Sequence, residues 1–266
     1  MLTFSPNSES TIVDPTRITV RRITKELARG PIERHHYLKK WPSSKICFGV
    51  FKDEFQFFGV NITNVPIGVL VYGYPGRRGL AQEISPLLQK REVLELKRLW
   101  VEDGHGRNIE SYVIGQSRKL LRTHHPEVKV LVSYADPSAG HRGTIYQATG
   151  WDYQIVNKVG KGSSFAISLV PNPKQTDWIH SRSAGRRFGK TDIELLKRKF
   201  GHDFSIRRDS DKYRYLYFNC DRREKKRLMK SLRRPIAEYR KEMNYAGGVE
   251  EIKVGPEHQI QRSLSV

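Results

Sequence analysis

The sequence predicts a mixed α/β domain, in which helices cover the faces of a central sheet, followed by a basic extension. Two continuous apolar runs, VPIGVLVYG and VKVLVSY, indicate strands that are buried on both faces. A third segment, NIESYVIGQSRKLLRTH, carries Ile109, Val113 and Leu121 at helical spacing. It begins at Asn108, a residue type favoured at helix N-caps. Strands and helices that alternate in this way are typical of a sheet with helices on its faces.

The remaining elements follow from local patterns in chain order. Residues 16–23 alternate as a strand does. A helix is expected to begin at Pro31 and to end before Pro42, because proline suits only the first turn of a helix. The other predicted elements are strands at 45–51, 65–72 and 93–101, a short helix at 81–90, a buried strand at 128–134, a short helix at 143–149, and strands at 151–156 and 164–170.

We expect the main domain to end at Pro171 and Pro173, where this pattern stops. Beyond them the sequence predicts a basic helix at 181–204, an aromatic strand at 213–219 and a second, very basic helical stretch. The predicted organisation is a flexible N-terminus (1–15), a main domain (16–173), a basic extension (174–245) and a flexible tail (246–266).

Positive charge dominates the composition. The 266 residues include 48 Lys and Arg against 28 Asp and Glu, which gives a net charge of +20. The excess is spread along the chain, because residues 1–170 hold 24 cationic and 15 acidic side chains and residues 171–266 hold 24 and 13. Such a charge attracts polyanions, and nucleic acid is its usual partner. A basic protein that is merely soluble is the alternative.

Two classes of protein are disfavoured. No apolar run reaches the 18 residues of a membrane span, and the N-terminus lacks the basic start and apolar stretch of a secretory signal. Cys47 and Cys220 lie far apart, which fits a reducing compartment better than a disulfide framework. We therefore predict neither a membrane partner nor a secreted protein.

A glycine loop precedes the helix that begins at Asn108. Gly104 and Gly106 allow close approach of the backbone, and the free N–H groups of the first helical turn point to the same place. Arg107 adds a cation and Ser111 a hydroxyl. This arrangement predicts a cradle for a phosphate or pyrophosphate group, and a plain strand-to-helix turn is the alternative.

Three polar residues in or near predicted strands are candidates for a functional site. Asp136 follows the carboxyl end of a buried strand, the edge at which ligands of open α/β sheets collect, and Tyr146 lies ten residues further on. Arg98 is a cation within an apolar strand and favours an anionic partner. The alternatives are a turn-forming aspartate, a core tyrosine and a structural ion pair.

His36 and Tyr37 lie in a predicted helix together with Lys39, Lys40 and Trp41. Adjacent helical positions point about 100° apart, so at most two of three consecutive side chains can serve one site.

Cations alternate with aromatic rings in the run KYRYLYF, a composition that suits contact with bases or with the phosphate backbone. An amphipathic strand has the same composition and is the alternative. The predicted nucleic-acid contacts are Trp41, Lys39, Lys40, Arg186, Arg187, Lys212 and Arg214.

Several runs together resemble the phage Mom family: HHYLKKWP, GVLVYGYP, LKRLWVED, GRNIESYVIG, VSYADPSAGHRGTIYQATGW and KYRYLYF. The resemblance implies a fold similar to that of the GCN5-related N-acetyltransferases. It also implies an activity, the conversion of adenine in double-stranded DNA to an N6-carbamoylmethyl derivative that shields phage DNA from host restriction. The positions that it marks as important are His36, Tyr37, Arg98, Ser111, Asp136 and Tyr146.

One position departs from the acetyltransferase pattern. The pyrophosphate loop of that superfamily reads Arg/Gln-x-x-Gly-x-Gly/Ala, and alignment on Gly104 and Gly106 puts Val101 at the Arg/Gln position. This departure argues against binding of coenzyme A in the manner of the superfamily.

The implied chemistry suggests roles for these residues. A base must leave the duplex before its N6 amine can react, and Trp41, Tyr37 and Tyr146 are candidates to stack on it. Asp136 would accept the N6 proton, and Arg98 would hold an anionic part of the donor or a phosphate. Tyr146 would protonate the leaving group.

Several donors are compatible with this product. A carbamoylmethyl group is an isomer of a glycyl group, so transfer from an activated glycine such as a glycyl-tRNA, followed by rearrangement, is one route. An acyl-CoA is a second donor. A route with iron on His36, Tyr37 and Asp136 ranks below these, because the sequence has no strong metal spacing.

The resemblance implies double-stranded DNA as the partner and the host cytoplasm as the location. A tRNA would be a second partner as donor carrier, and a symmetric homodimer is the default assembly. Two other functions stay open: an N-acetyltransferase that uses acetyl-CoA on a protein or small amine, and a non-enzymatic DNA-binding protein with the same fold.

Overall fold

The computed structural model describes residues 12–53, 56–57, 60–61, 65–136, 141–154, 165–170, 177–189, 193–200, 204–208, 212–239 and 251–254. The chain forms two compact units. The first comprises Met1–Tyr134, Gly143–Ile155 and Arg214–Glu238, and the second comprises Ala135–Arg142, Val156–Tyr213 and Tyr239–Val266.

The described part of the chain contains both strands and helices throughout. The strands are β1 (Ile18–Ile23), β2 (Ile46–Lys52), β3 (Gln56–Phe57), β4 (Val60–Asn61), β5 (Gly68–Gly73), β6 (Val93–Val101), β7 (Val130–Ala135), β8 (Asp152–Gln154), β9 (Phe165–Ser168), β10 (Ile179–His180), β11 (Phe204–Arg208), β12 (Tyr213–Phe218) and β13 (Glu251–Val254). The helices are α1 (Lys25–His35), α2 (Leu80–Ile84), α3 (Ile109–His124), α4 (Thr144–Ala148), α5 (Ser181–Phe188), α6 (Ile193–Phe200) and α7 (Arg222–Lys230).

A seven-stranded mixed sheet forms the centre of the first unit, in the order β1-β2-β5-β6-β7-β12-β8. Neighbours from β1 to β6 pair antiparallel, β6 and β7 pair parallel, and β12 pairs antiparallel with β8. This topology confirms the predicted α/β class, a mixed central sheet flanked by helices.

Apolar side chains from helices fill both sides of this sheet. Ala28 and Ile32 of α1 pack with Phe51 and Val71, all of them nearly or fully buried. A second cluster joins α2 and α7 to strands β6, β7 and β12, and its members include Leu80, Val130, Phe218 and Leu228. The helix α3 buries Ile109, Val113, Ile114 and Leu121, which is the apolar face that its sequence predicts.

The second unit has its own sheet, in the order β10-β9-β11-β13. Its core consists of Ile167, Ala184, Leu196, Phe204 and Ile206, contributed by β9, α5, α6 and β11. No described helix of either unit combines the length and the apolar character that a membrane span requires.

The predicted boundary at residue 173 does not separate these units. The predicted strand at 164–170 belongs to the sheet of the second unit as β9, whereas β12, from the predicted extension, lies inside the main sheet between β7 and β8. Residues 251–254, predicted within a flexible tail, form β13 on β11. The predicted flexibility of residues 1–11 and 255–266 concerns positions outside the described residues.

Three predicted helices also differ, and the short one predicted at 81–90 already ends at Ile84. The first begins at Lys25, capped by the Thr24 side chain, and carries Pro31 in its interior instead of at its start. The basic helix at 181–204 is two helices, because Gly189 adopts a positive φ of 93° after α5, and its last residue, Phe204, already belongs to β11.

Candidate active site

The parallel strands β6 and β7 diverge halfway along their length. They pair only from Val93 to Glu95 on β6, opposite Val130 to Val132 on β7, although both continue further. At the point of divergence the Ser133 Oγ donates a hydrogen bond of 3.0 Å to the Leu96 carbonyl oxygen. The two strand ends therefore leave an opening in the sheet, and the predicted residue Arg98 lies on the diverging part of β6.

Tyr146 reaches this point from α4. Its ring is buried, and its Oη lies 2.8 Å from the Ser133 Oγ. Because the Leu96 carbonyl can only accept and Ser133 has one hydroxyl proton, both bonds form together when the Tyr146 hydroxyl donates to Ser133. Burial raises the pKa of Tyr146 to about 12, and the nearby Tyr37 and Glu95 add to the rise.

Arg98 shares the same neighbours. Its Nη1 donates to the Lys97 carbonyl at 2.6 Å and its Nε to the Lys40 carbonyl at 3.3 Å. Burial lowers the pKa of Arg98, and the proximity of Tyr37 and Glu95 opposes this shift. Among the described residues Arg98 has no carboxylate in an ion pair, so the structural ion pair considered for it is absent there. Tyr37 and Glu95 therefore act electrostatically on both Arg98 and Tyr146.

The end of α1 positions His36 and Tyr37. The helix stops at His35, and His36 caps it in an extended conformation, so these residues lie in a turn and not within a helix as predicted. The His36 ring is buried, accepts a 3.1 Å hydrogen bond from the Leu38 N–H at Nδ1, and stacks on Tyr37 with ring centroids 4.5 Å apart. Tyr37 keeps 46% of its surface exposed, which leaves its ring accessible to a ligand.

The glycine loop before α3 has the predicted unusual backbone. Gly104 and Gly106 have φ values of 87° and 101°, and Asn108 at the N-cap position has 69°. The Asn108 side chain makes no capping hydrogen bond, so its expected capping role is absent. Ser111, half-buried, follows within the first turn, and the Arg107 carbonyl accepts a 3.1 Å bond from the Val13 N–H.

Asp136 belongs to the second unit, directly after β7. Its carboxylate forms a 3.0 Å ion pair with the Lys212 Nζ, and its carbonyl accepts a hydrogen bond from the His141 N–H. Lys212, predicted to contact nucleic acid, thus has a carboxylate partner of its own.

Arg214 cannot contact nucleic acid as predicted, because its side chain is fully buried. It donates to Glu83 at 3.1 Å and to Gln154 at 2.6 Å, and so joins α2, β12 and β8 within the core. The buried position reflects the inward face of β12, which the alternation of cations and rings did not reveal.

The other predicted contacts differ in exposure. Trp41 is partly buried and packs against the core cluster that includes Ala28 and Ile32 of α1. This packing limits the ring surface on which a base could stack. Lys39, Lys40, Arg186 and Arg187 are exposed.

Two residues of the site escaped the sequence interpretation, namely Glu95 and Ser133. Each is a polar residue within a largely apolar strand, the same signal that singled out Arg98. Among the described residues no three His, Cys, Asp or Glu side chains gather as a metal site would require. His36 and Asp136 therefore belong to no such group among these residues.

Comparison with known proteins gives a consistent result. The model of the Mom protein family matches residues 17–241 of the chain. The methylcarbamoylase Mom of Escherichia phage Mu is 28% identical over 214 residues, which cover 79% of this chain and 79% of that protein.

Solved acetyltransferase structures are more distant. The ribosomal-protein-S5-alanine acetyltransferase of Vibrio fischeri is 10% identical, with a TM-score of 0.38 over 77% of this chain and 94% of the other. An N-acetyltransferase of Staphylococcus aureus Mu50 is 12% identical, with a TM-score of 0.37 over 76% of this chain and 97% of the other.

Proposed function

The chain belongs to the Mom protein family, and on that premise we propose that it modifies adenine in double-stranded DNA. The product is an N6-carbamoylmethyl-type adenine that protects phage DNA from restriction in the host cytoplasm. The observation that carries the proposal is the buried Tyr146 hydroxyl, which is bonded to Ser133 where β6 and β7 diverge, with Arg98 on the diverging part of β6. The similarity to a methylcarbamoylase of phage Mu supports it.

The target base must first leave the duplex, because its N6 amine is paired there, and extrusion costs a few kcal/mol. Tyr37 is the best candidate to stack on the extruded adenine, since it is half-exposed while its other face rests on His36. Aromatic stacking contributes about 1–3 kcal/mol per base, which offsets much of the cost of extrusion.

Transfer then requires a proton acceptor, a positive charge and a proton donor. In the glycyl route the N6 nitrogen attacks the glycyl carbonyl, its proton passes to Asp136, and the bond to the leaving group breaks, which gives N6-glycyladenine. In the rearrangement that follows, N6 moves from the carbonyl carbon to the CH2 carbon and the glycine nitrogen moves the opposite way, which gives the isomeric carbamoylmethyl product. Tyr146 returns a proton to the leaving group, and Ser133 holds its hydroxyl in place. Arg98 binds the anionic part of the donor, since its guanidinium has only backbone carbonyls as hydrogen-bond partners in the described chain.

The loop before α3 supplies a place for donor phosphates. Its three positive φ values at 104, 106 and 108 expose backbone N–H groups, and the 16-residue helix behind it adds its positive end. An acyl-CoA or the phosphates of an aminoacyl-tRNA would suit this loop equally, so the donor is an activated glycine in either chemical form.

The DNA backbone would lie against the exposed basic side chains. In α7, a helix of the first unit, Arg227 and Lys225 pair with Glu224 and Asp152. The exposed cations of this helix without an ion pair among the described residues are Arg222, Arg223, Lys226 and Lys230.

The test is mass spectrometry of nucleosides from bacteria that express the chain. We expect a deoxyadenosine derivative heavier by one glycine residue, and deoxyadenosine of unchanged mass throughout would refute the proposal. Tyr37→Phe should retain the product, since the ring persists, whereas Tyr37→Ala and Asp136→Ala should lose it. Full modification by either of these alanine variants removes that residue from the mechanism.

A further inference from the structure

A basic pocket that none of the proposed active-site residues lines opens on the first unit. It has a volume of about 470 Å³ and lies between the end of β1, the start of α1 and the start of β2. This volume is in the range of pockets that hold a ligand of nucleotide size. Its lining residues are Arg21, Arg22, Ile23, Thr24, Lys25, Leu27, Lys45 and Cys47.

The rim of the pocket is positively charged. Four of its eight residues are Lys or Arg, and none is Asp or Glu. Arg22, Lys25 and Lys45 are exposed and form no ion pair with any described carboxylate. The adjacent Glu26, hydrogen-bonded to the Thr24 hydroxyl and to its own backbone N–H, adds one negative charge near Lys25, so the rim keeps an excess of positive charge.

The floor of the pocket is apolar. Ile23 and Cys47 are buried, and burial raises the pKa of the Cys47 thiol to about 11, so it adds no negative charge near neutral pH. The Arg21 guanidinium lies 3.9 Å from the Phe51 ring centroid, and this cation–π contact fixes the side of the pocket that Arg21 lines. A ligand that fits must therefore carry negative charge at its edge and apolar surface toward the floor.

We propose that this pocket holds the sugar–phosphate backbone of duplex DNA, at a contact separate from the adenine site. The inference rests on the proposed function, which supplies the duplex. Successive phosphates would meet Arg22, Lys25 and Lys45, and a deoxyribose would cover the apolar floor. Cations without acidic partners release condensed counterions when phosphates bind, so the contact strengthens binding most at low salt.

The test measures the affinity of the full chain for a duplex at several salt concentrations. The double variant Arg22→Gln/Lys45→Gln should reduce the slope of log K against log[salt] by about 2, since each lost phosphate contact removes about 0.9. The charge-preserving variant Arg22→Lys/Lys45→Arg should retain the slope. The exposed pair Lys119→Gln/Arg122→Gln on α3 removes the same charge elsewhere and should change the slope less.

An unchanged slope in the pocket variant, or an equal loss in the α3 control, overturns the inference. A reduced slope with tRNA, but not with duplex DNA, overturns the inference as well, because the pocket would then bind a different nucleic acid. Thermal unfolding confirms that the variants are folded. Nucleoside mass spectrometry of the unaltered chain distinguishes the two proposals. Modified adenine, together with an unchanged salt slope in the pocket variant, refutes only the pocket. Unmodified adenine, together with a reduced salt slope in the pocket variant, refutes only the modification.

Discussion

The Tyr146 hydroxyl is the most constrained polar group of the candidate site. It lies in a buried ring that packs on Trp151 and Tyr215, with ring centroids 5.2 and 5.1 Å away. Its hydrogen bond to Ser133 continues to the Leu96 carbonyl, which fixes the hydroxyl at the divergence of β6 and β7. To act as a proton donor, the hydroxyl must turn its single proton from Ser133 toward the leaving group, while the oxygen stays in place.

Replacement of the Tyr146 hydroxyl should affect adenine modification much more than the free energy of unfolding. Tyr146→Phe keeps the ring and leaves Ser133 bonded to Leu96, so we expect a loss of about 1 kcal/mol in the free energy of unfolding at pH 7. Modification of adenine should nevertheless be strongly reduced. Tyr112→Phe, which removes a hydroxyl bonded to the Pro15 carbonyl, is the matched control and should keep activity.

Alkaline unfolding provides a second measure of the same variant. Because the pKa of Tyr146 rises from 10.0 to about 12 on folding, its ionisation has no effect on stability below pH 10 and favours the unfolded chain as the pH rises from 10 to about 12. The resulting loss of stability across this range is roughly 2–3 kcal/mol. Denaturant unfolding should show a smaller alkaline loss for Tyr146→Phe than for the unaltered chain, and equal losses would contradict the assigned burial.

Arg98 and Arg214 show what single residues in a sequence can reveal. Both are arginines in apolar strands, yet Arg98 lies beside the site and Arg214 holds Glu83 and Gln154 in the core. The sequence shows that each arginine is an unexpected charge in an apolar strand, but it does not show which residue its side chain contacts. Partners come from elements distant in sequence, and a strand pattern carries no information about them.

At the scale of elements, α4 is placed by its first turn. Gly143 precedes it with a φ of 79°, a conformation that suits glycine, and the Tyr215 ring fills the space where a Cβ would lie. The helix has only five residues, so this contact and the burial of Tyr146 hold it in place.

A side chain at Gly143 should therefore displace the helix. For Gly143→Ala we expect a loss of about 2–4 kcal/mol, from the positive φ and from overlap with the Tyr215 ring, together with reduced modification. Gly150→Ala is the control, because Gly150 also has a positive φ, 72°, but no heavy atom within 4 Å of a new Cβ. Gly150→Ala should lose about 1 kcal/mol of unfolding free energy in chemical denaturation. An equal loss in both variants would show that the overlap with the Tyr215 ring is relieved.

The sequence predicts elements better than their pairing. The apolar run of β6 agrees with its prediction at both ends, and α3 begins one residue after the predicted N-cap. The strands β9 and β12 were recognised as strands, but the boundary expected at residue 173 did not reveal that β12 joins the main sheet and β9 the other one. Strand pairing depends on contacts between segments far apart in the chain, and local alternation is the same in either sheet.

At the scale of the molecule, the first unit is discontinuous in sequence. The chain leaves it after β8, forms most of the second unit, and returns at Arg214 to place β12 between β7 and β8. Both units carry an excess of positive charge, because the first holds 30 Lys and Arg against 17 Asp and Glu, and the second holds 18 against 11. Duplex contacts from both units would explain why the charge is not confined to one segment.

This arrangement predicts opposite results for two truncations. A chain ending at residue 173 loses Leu216, Phe218 and Leu228, which are buried in the core of the first unit, and leaves β7 and β8 without the strand between them. Three such side chains contribute about 1.5–3 kcal/mol each, a large share of the 5–15 kcal/mol that typically stabilises a domain. A chain ending at residue 239 keeps them and loses β13, an edge strand of the other sheet. Near-ultraviolet circular dichroism and cooperative denaturant unfolding should report native packing of the first unit only for the longer chain, and a cooperative transition in the chain of 173 residues would disprove the role assigned to β12.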